Sequence, residues 1–249
     1  MQSEMSRVIL GWYMRFDVFA GLVAGFATVL SREWFSYAQD FLQQQVIREP
    51  ERLKWKIEVA VAQLRLIAMD MAIGLAKMGK GEISFDQFIA EHGAVGTRIR
   101  EWKTKMDPAL QDSRYLVTYF TGARPLEPDD IVNPYIPGTI YRGPLFVMNV
   151  CIIDWYSIGL MHSYQAALTL RRPLSPELGP KALETCQLYE ALEFYPWSPR
   201  GTVVAMQASL AMACLFLPRE DRYSMWARRK LATIEANGRV MCNFSFNHV

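Results

Sequence analysis

Four ionisable side chains lie inside otherwise apolar helical patterns, where they are candidates for acid–base chemistry. His162 repeats with Trp155 and Met148 at helical spacing, which makes its imidazole the best placed general acid or base. Asp17, Asp70 and Asp154 also interrupt apolar stretches, and a buried carboxylate needs a partner. The competing interpretation is structural, namely a hydrogen-bonded core histidine and aspartates paired with Arg15, Arg65 or another arginine.

The aromatic and methionine residues around these groups predict an apolar cavity for a small molecule. Trp155, Met148, Tyr115 and Tyr119 are the candidates for its walls. Such a cavity can accelerate an isomerisation or cyclisation by orienting its substrate, which contributes about 7–11 kcal/mol without a cofactor. We therefore predict an apolar small molecule as partner and no cofactor.

The cysteines do not predict a metal site. No Cys-x-x-Cys pair occurs among them, the three histidines are isolated, and structural zinc sites need ligands clustered in sequence. Most of the cysteines lie in apolar stretches, which is typical of reduced thiols in an intracellular protein. The four are Cys151, Cys186, Cys214 and Cys242.

The acidic pair Asp129-Asp130 superficially matches the magnesium-binding motif of terpene synthases. In that chemistry the carboxylates project from one face of a helix. Here the pair lies between Pro128 and Pro134, where a regular helix is disfavoured. A solvated loop without metal is the prediction.

Composition excludes several classes of protein. The chain has 249 residues, 51% of them hydrophobic, and a formal net charge of +2, which excludes intrinsic disorder and argues against a nucleic-acid binder. The run 203–217 is shorter than the roughly 20 residues that a membrane span requires. It predicts a buried helix, and we expect no membrane segment.

Helical periodicity recurs along most of the chain and predicts a single all-α domain of about eight helices over residues 1–249. Ser84 and Gln87 predict a capping box, and the glycines after residue 78 predict a helix end. Residues 120–143 are rich in proline and predict a long irregular crossing. The first helix is predicted to carry one apolar stripe, which consists of Trp12, Phe16, Phe19, Val23, Phe26 and Leu30.

Two stretches at opposite ends of the chain resemble one known family. Residues 15–22 (RFDVFAGL) and 30–34 (LSREW) look like the opening of the fungal-specific transcription factor domain. Residues 216–221 (FLPRED), 225–232 (MWARRKLA) and 234–238 (IEANG) are similar to its closing segment. The resemblance spans residues 8 to 238 in the expected order.

The resemblance implies a helical, effector-responsive regulatory domain that acts in the nucleus, and it implies no catalytic residues. The cysteine-rich zinc-cluster module that reads DNA in this family has no counterpart in the sequence. We therefore predict that the chain alone does not bind DNA, since its only dense basic run is 228–230. The alternative function is a cofactor-free cyclase or isomerase, resembling a pericyclase and acting in the cytoplasm, that shapes an apolar metabolite in a helical cavity.

Overall fold

The computed structural model describes residues 3–238, and within this range it contains nine α-helices and no β-strand. The all-α prediction is confirmed, and the helices form a single domain. The helices are α1 (Glu4–Ala24), α2 (Arg32–Arg48), α3 (Leu53–Gly79), α4 (Phe85–Thr104), α5 (Phe146–Thr169), α6 (Leu178–Glu193), α7 (Thr202–Ala205), α8 (Gln207–Cys214) and α9 (Asp221–Gly238).

Two predicted helix boundaries in the first half of the chain are confirmed, namely the end of α3 at Gly79 and the start of α4 after Ser84. At the start of α4 the hydroxyl of Ser84 accepts from the backbone N–H of Gln87 at 3.2 Å. The side chain of Gln87 in turn accepts from the backbone N–H of Ser84 at 2.8 Å, which completes the predicted capping box.

The apolar stripe predicted for the first helix is not the face that packs. Of its members only Phe19 is buried, whereas the side chains of Trp12, Phe16 and Phe26 are 45%, 51% and 71% exposed. Helix α1 ends at Ala24, because Gly25 follows in the left-handed conformation with φ 71°. The helix is apolar on two faces, so periodicity did not distinguish the buried face from the exposed one.

The apolar run 203–217 is divided rather than forming one helix. Met206 separates α7 from α8, and its φ of −94° and ψ of 0° interrupt the helical hydrogen-bond ladder. The Met206 side chain itself is fully buried.

The irregular crossing between α4 and α5 is folded onto the domain. Its regular features are three 3₁₀ turns (Pro108–Gln111, Ser113–Tyr115 and Gly143–Leu145) and a single bridge between Leu116 and Tyr141. The side chains of Phe120, Ile131 and Ile140 are buried. The proline-rich segment therefore contributes to the core, and α5 begins two residues after Pro144.

Two hydrophobic clusters lie on either side of α5. The first is built mainly from α1, α3, α4 and one face of α5. The second is built from the other face of α5, from the crossing and from α6 to α9, with Tyr189 and Trp226 among its largest buried side chains. Helix α3 and the segment 143–169 are long and apolar enough to cross a membrane, but both are substantially buried inside the protein, as core helices are.

Candidate functional site

Asp154 on α5 lies in a buried ion pair that joins three helices. Arg15 of α1 donates from Nε and Nη2 to its two carboxylate oxygens at 2.8 and 2.7 Å. The hydroxyl of Ser209 on α8 donates to the same carboxylate at 2.6 Å. These bonds occupy the carboxylate in the fold, as the structural interpretation of Asp154 expects.

Asp17 has backbone partners. Its two carboxylate oxygens accept from the N–H groups of Val29 and Leu30 at 2.7 and 2.8 Å. Asp17 thereby fixes the turn between α1 and α2, and it is not among the residues that line a cavity.

His162 packs against a second histidine that the sequence did not single out. Its ring stacks on that of His92 from α4, with centroids 3.9 Å apart, and its Nε2 lies 2.8 Å from the His92 carbonyl oxygen. A Cβ at Gly96 would lie 2.6 Å from the ring, so only glycine leaves room for it. Burial lowers the pKa of His162, and burial together with His162 lowers the pKa of His92 to about 4. Both rings are therefore neutral at pH 7.

Three of the four predicted wall residues share one hydrophobic cluster. Met148 is fully buried in it, and Trp155 and Tyr115 pack against it. Trp155 donates its indole N–H to the Ile99 carbonyl at 2.7 Å, Tyr115 is half-buried in a 3₁₀ turn, and Tyr119 is 75% exposed. None of the four lines either of the two cavities described below.

The acidic pair of the crossing has arginine partners. Asp130 accepts two hydrogen bonds from Arg124 at 2.7 and 2.8 Å, and Asp129 pairs with Arg229 at 3.3 Å. Among residues 3–238, no group of three or more histidine, cysteine, aspartate or glutamate side chains is arranged to hold a metal ion. Cys151, Cys186 and Cys214 are free thiols, while Cys242 lies outside the described residues.

A cavity of about 250 Å³ lies between α1, α2 and α3, at a place the sequence analysis did not predict. Its walls are mainly apolar and come from all three helices, with Val147 of α5 in addition. The apolar residues that line it are Val8, Leu10, Trp12, Met14, Phe35, Ala38, Leu42, Ile57, Val61, Ala62 and Val147.

Arg65 of α3 is the polar group of this cavity that lacks a charged partner. Among the described residues no carboxylate lies within ion-pair distance of its guanidinium. The guanidinium lies against α1, where a Cβ on Gly11 would be 3.1 Å from Nη1. Burial lowers the pKa of Arg65 to about 10, and the positive charge of nearby Arg15 adds to this effect against the opposing charge of Asp154.

The other charged residues of the cavity have neighbours of opposite sign. Glu4 pairs with Lys54 at the surface. Arg7 Nε lies 4.0 Å from Glu58 Oε2, too far for a hydrogen bond, and this Nε is buried without a hydrogen-bond partner. Burial raises the pKa of Glu58, which Arg7 partly opposes. Arg65 is therefore the charged residue of the cavity whose nearest opposite charges, Asp154 and Glu58, lie beyond ion-pair distance among the described residues.

A second, wider groove of about 670 Å³ lies where α2, α3 and α4 meet. Its central charges are already paired, because Asp70 accepts from Arg32 at 2.6 Å and from Arg98 at 2.6 Å. This internal pairing distinguishes the groove from the cavity that holds Arg65.

The sequence suggested Arg65 only as a pairing partner for a buried aspartate, and for Asp154 that partner is Arg15. The cavity and the place of Arg65 in it were not predicted, because both depend on contacts between three helices. The signal that was present is Arg65 itself, a charged residue within the apolar pattern of α3. Gly11 stands opposite it in α1, and nothing in the spacing of the two residues predicts their contact.

Comparisons with known protein families, with curated proteins and with solved structures found no match to this chain.

Proposed function

We propose that the chain is an effector-responsive helical regulatory domain, similar to that of fungal transcription factors, which binds an apolar small molecule in the cavity between α1, α2 and α3. One observation carries the proposal. None of the candidate acids or bases Asp17, Asp154 and His162 lines the cavity, whereas α1, which lines it, is tied to α5 by the ion pair of Arg15 and Asp154.

This arrangement favours regulation over catalysis. Asp154 and Asp17 are occupied by arginine and backbone donors, and His162 is packed against His92. A cyclase or isomerase would need its polar groups to face the substrate. A binding domain needs only apolar walls and a polar anchor.

The ion pair provides a route by which the ligand acts at a distance. Arg15 lies on α1, Asp154 on α5 and Ser209 on α8, so a displacement of α1 changes contacts in both halves of the domain. A ligand shifts such an equilibrium only as far as it prefers one state over the other.

The proposed function includes no direct contact with DNA. In the basic run 228–230, Lys230 pairs with Glu190 and Glu193, and Arg229 pairs with Asp129. Sequence-independent DNA affinity requires uncompensated basic residues on one surface. A regulator of this kind would act in the nucleus through a DNA-binding partner or module.

Hydrogen exchange in the presence of 1-decanol, a neutral apolar probe, tests the proposal. We expect slower exchange in α1, α2 and α3, where the probe binds, and also in α8, which does not line the cavity. Ala38→Leu, which fills the cavity, abolishes both effects. Ala20→Leu on the exposed face of α1 is the matched control and leaves both unchanged.

Two results would contradict the proposal. Absence of protection by 1-decanol, decanoate and decylamine alike would show that the cavity does not bind apolar molecules. Protection confined to α1, α2 and α3, unaltered in Asp154→Asn, would show binding without regulation.

A further inference from the structure

We propose that the cavity between α1, α2 and α3 selects small amphipathic carboxylates, with the apolar body among its walls and the carboxylate on the guanidinium of Arg65. This inference rests on the proposed function, since it names the class of effector that the same cavity takes.

The balance of charge in the cavity favours an anion. Glu4 is engaged by Lys54, and Arg7 and Glu58 face each other at 4.0 Å. Arg65 alone among these four has no opposite charge within ion-pair distance in the described part of the chain. A carboxylate ligand gives Arg65 an opposite charge at ion-pair distance, whereas a cationic ligand is repelled by it.

The position of the guanidinium suits it to this role. Its Nη1 lies against the backbone of α1 at Gly11, beside the apolar side chains of Leu10 and Met14 that line the same cavity. An arginine presents two parallel N–H donors to a carboxylate, and the bond is stronger where water is excluded. Burial already lowers the pKa of Arg65 to about 10, so a bound carboxylate restores a stabilisation that the free protein lacks.

The size of the cavity limits the apolar part of the ligand. At about 250 Å³ it exceeds the cavity of about 150 Å³ that admits benzene. A medium-length acyl chain or a single ring with a short acidic arm is therefore the class that it accepts. A large polycyclic or multiply charged molecule is excluded by volume and by the single free cation.

Three probes that share one chain and differ in headgroup test the inference: decanoate, 1-decanol and decylamine. Isothermal titration of the full chain at pH 7.5 is expected to show one site, with decanoate bound at least tenfold more tightly than 1-decanol. Decylamine is expected to bind most weakly. In Ala38→Leu all three lose binding, which locates them in the cavity rather than on the exposed face of α1.

Variants at Arg65 and beside it separate recognition of the ligand headgroup from packing of its apolar chain. Arg65→Met is expected to weaken decanoate binding at least tenfold while leaving 1-decanol within twofold of its original affinity. Gly11→Ala, which crowds Nη1, lowers the preference for decanoate in the same direction. Arg200→Met, at an exposed position away from the cavity, is the matched control and changes neither affinity.

The binding of the three probes distinguishes a wrong assignment of Arg65 from a wrong assignment of the cavity. Equal binding of decanoate and 1-decanol, or an equal loss of both in Arg65→Met, would overturn the role of Arg65 while the cavity remains a ligand site. No binding of any of the three probes would overturn both proposals.

Discussion

The two hydrophobic clusters differ in whether one charged side chain of each has a partner of opposite charge. In the cluster built on α6 to α9, Glu190 Oε1 accepts from the indole N–H of Trp226 and from Lys230, both at 2.8 Å. In the cluster built on α1 to α5, Arg65 stands beside a cavity without a carboxylate partner. The first cluster also contains the paired charges of Arg15 and Asp154, so the difference between the clusters lies at Arg65. A charge without an ion-pair partner beside a cavity marks the place where we propose that a ligand binds.

The largest difference in stability between the two clusters is expected when one tryptophan in each part of the protein is replaced by alanine. Trp226→Ala removes a side chain that is 2% exposed and should lower the free energy of unfolding by about 3–5 kcal/mol. Trp12→Ala, at the edge of the cavity, should lower it by less than about 1 kcal/mol, because Trp12 is 45% exposed. Urea denaturation of both variants measures the difference. Equal losses would show that the two regions are packed alike.

Asp154 connects the two regions, so its removal should also be severe. Asp154→Ala leaves the guanidinium of Arg15 buried without its partner and is expected to cost about 3–5 kcal/mol of stability. Replacing both residues with apolar ones, in Arg15→Met with Asp154→Leu, should recover most of the loss. A double variant as unstable as Asp154→Ala would contradict the assignment of the effect to an unpaired charge. Chemical denaturation provides the measurement.

Gly96 tests the packing between α4 and α5 in the first hydrophobic cluster. Gly96→Ala places a Cβ 2.6 Å from the imidazole of His162 and should destabilise the domain by about 1–3 kcal/mol. The double variant with His162→Ala removes the clash, and its stability should match that of His162→Ala alone. Thermal unfolding of the original protein, the two single variants and the double variant measures the coupling energy between the two positions. A coupling energy of zero would disprove the contact.

The histidine pair predicts a dependence of stability on pH. Because burial lowers the pKa of His92 to about 4, the unfolded chain binds more protons between pH 6.5 and pH 4. The contribution of His92 is fully present above pH 6.5 and is lost as the pH falls, by at most about 1.4 kcal/mol per pH unit. The amide of Gln165 opposes the shift, although it lies outside hydrogen-bond geometry with His92.

His92→Phe isolates this effect, because the ring remains and the titrating group is removed. Denaturant titrations at several pH values should show a shallower loss between pH 6.5 and pH 4 than in the original protein. Parallel profiles would mean that His92 titrates as it does in the unfolded chain.

The smallest effect is expected at the cavity itself. Arg65→Met replaces a half-buried cation that lacks an ion-pair partner and should raise the free energy of unfolding by about 0.5–2 kcal/mol while it removes the preference for carboxylates. Thermal unfolding without ligand checks the sign. Destabilisation would show that Arg65 is compensated in the fold.

The sequence by itself determined the fold class and most helix boundaries. Helical periodicity is a local property, and so are the Ser84–Gln87 capping box and the helix end at Gly79, because each depends on residues within a few positions of one another. It also singled out Asp154 and His162 as polar groups inside apolar helices, which the structure places in contact with Arg15 and His92.

Only the tertiary structure decided which face of each helix is buried and where space remains. Helix α1 is apolar on two faces, so the choice of Met14 and Val18 over Trp12 and Phe16 depended on the surfaces that α3 and α5 present. The cavity and the environment of Arg65 are defined by contacts between residues of three successive helices. Packing between such elements leaves no periodic signal in any one of them, because it depends on the shapes of both partners.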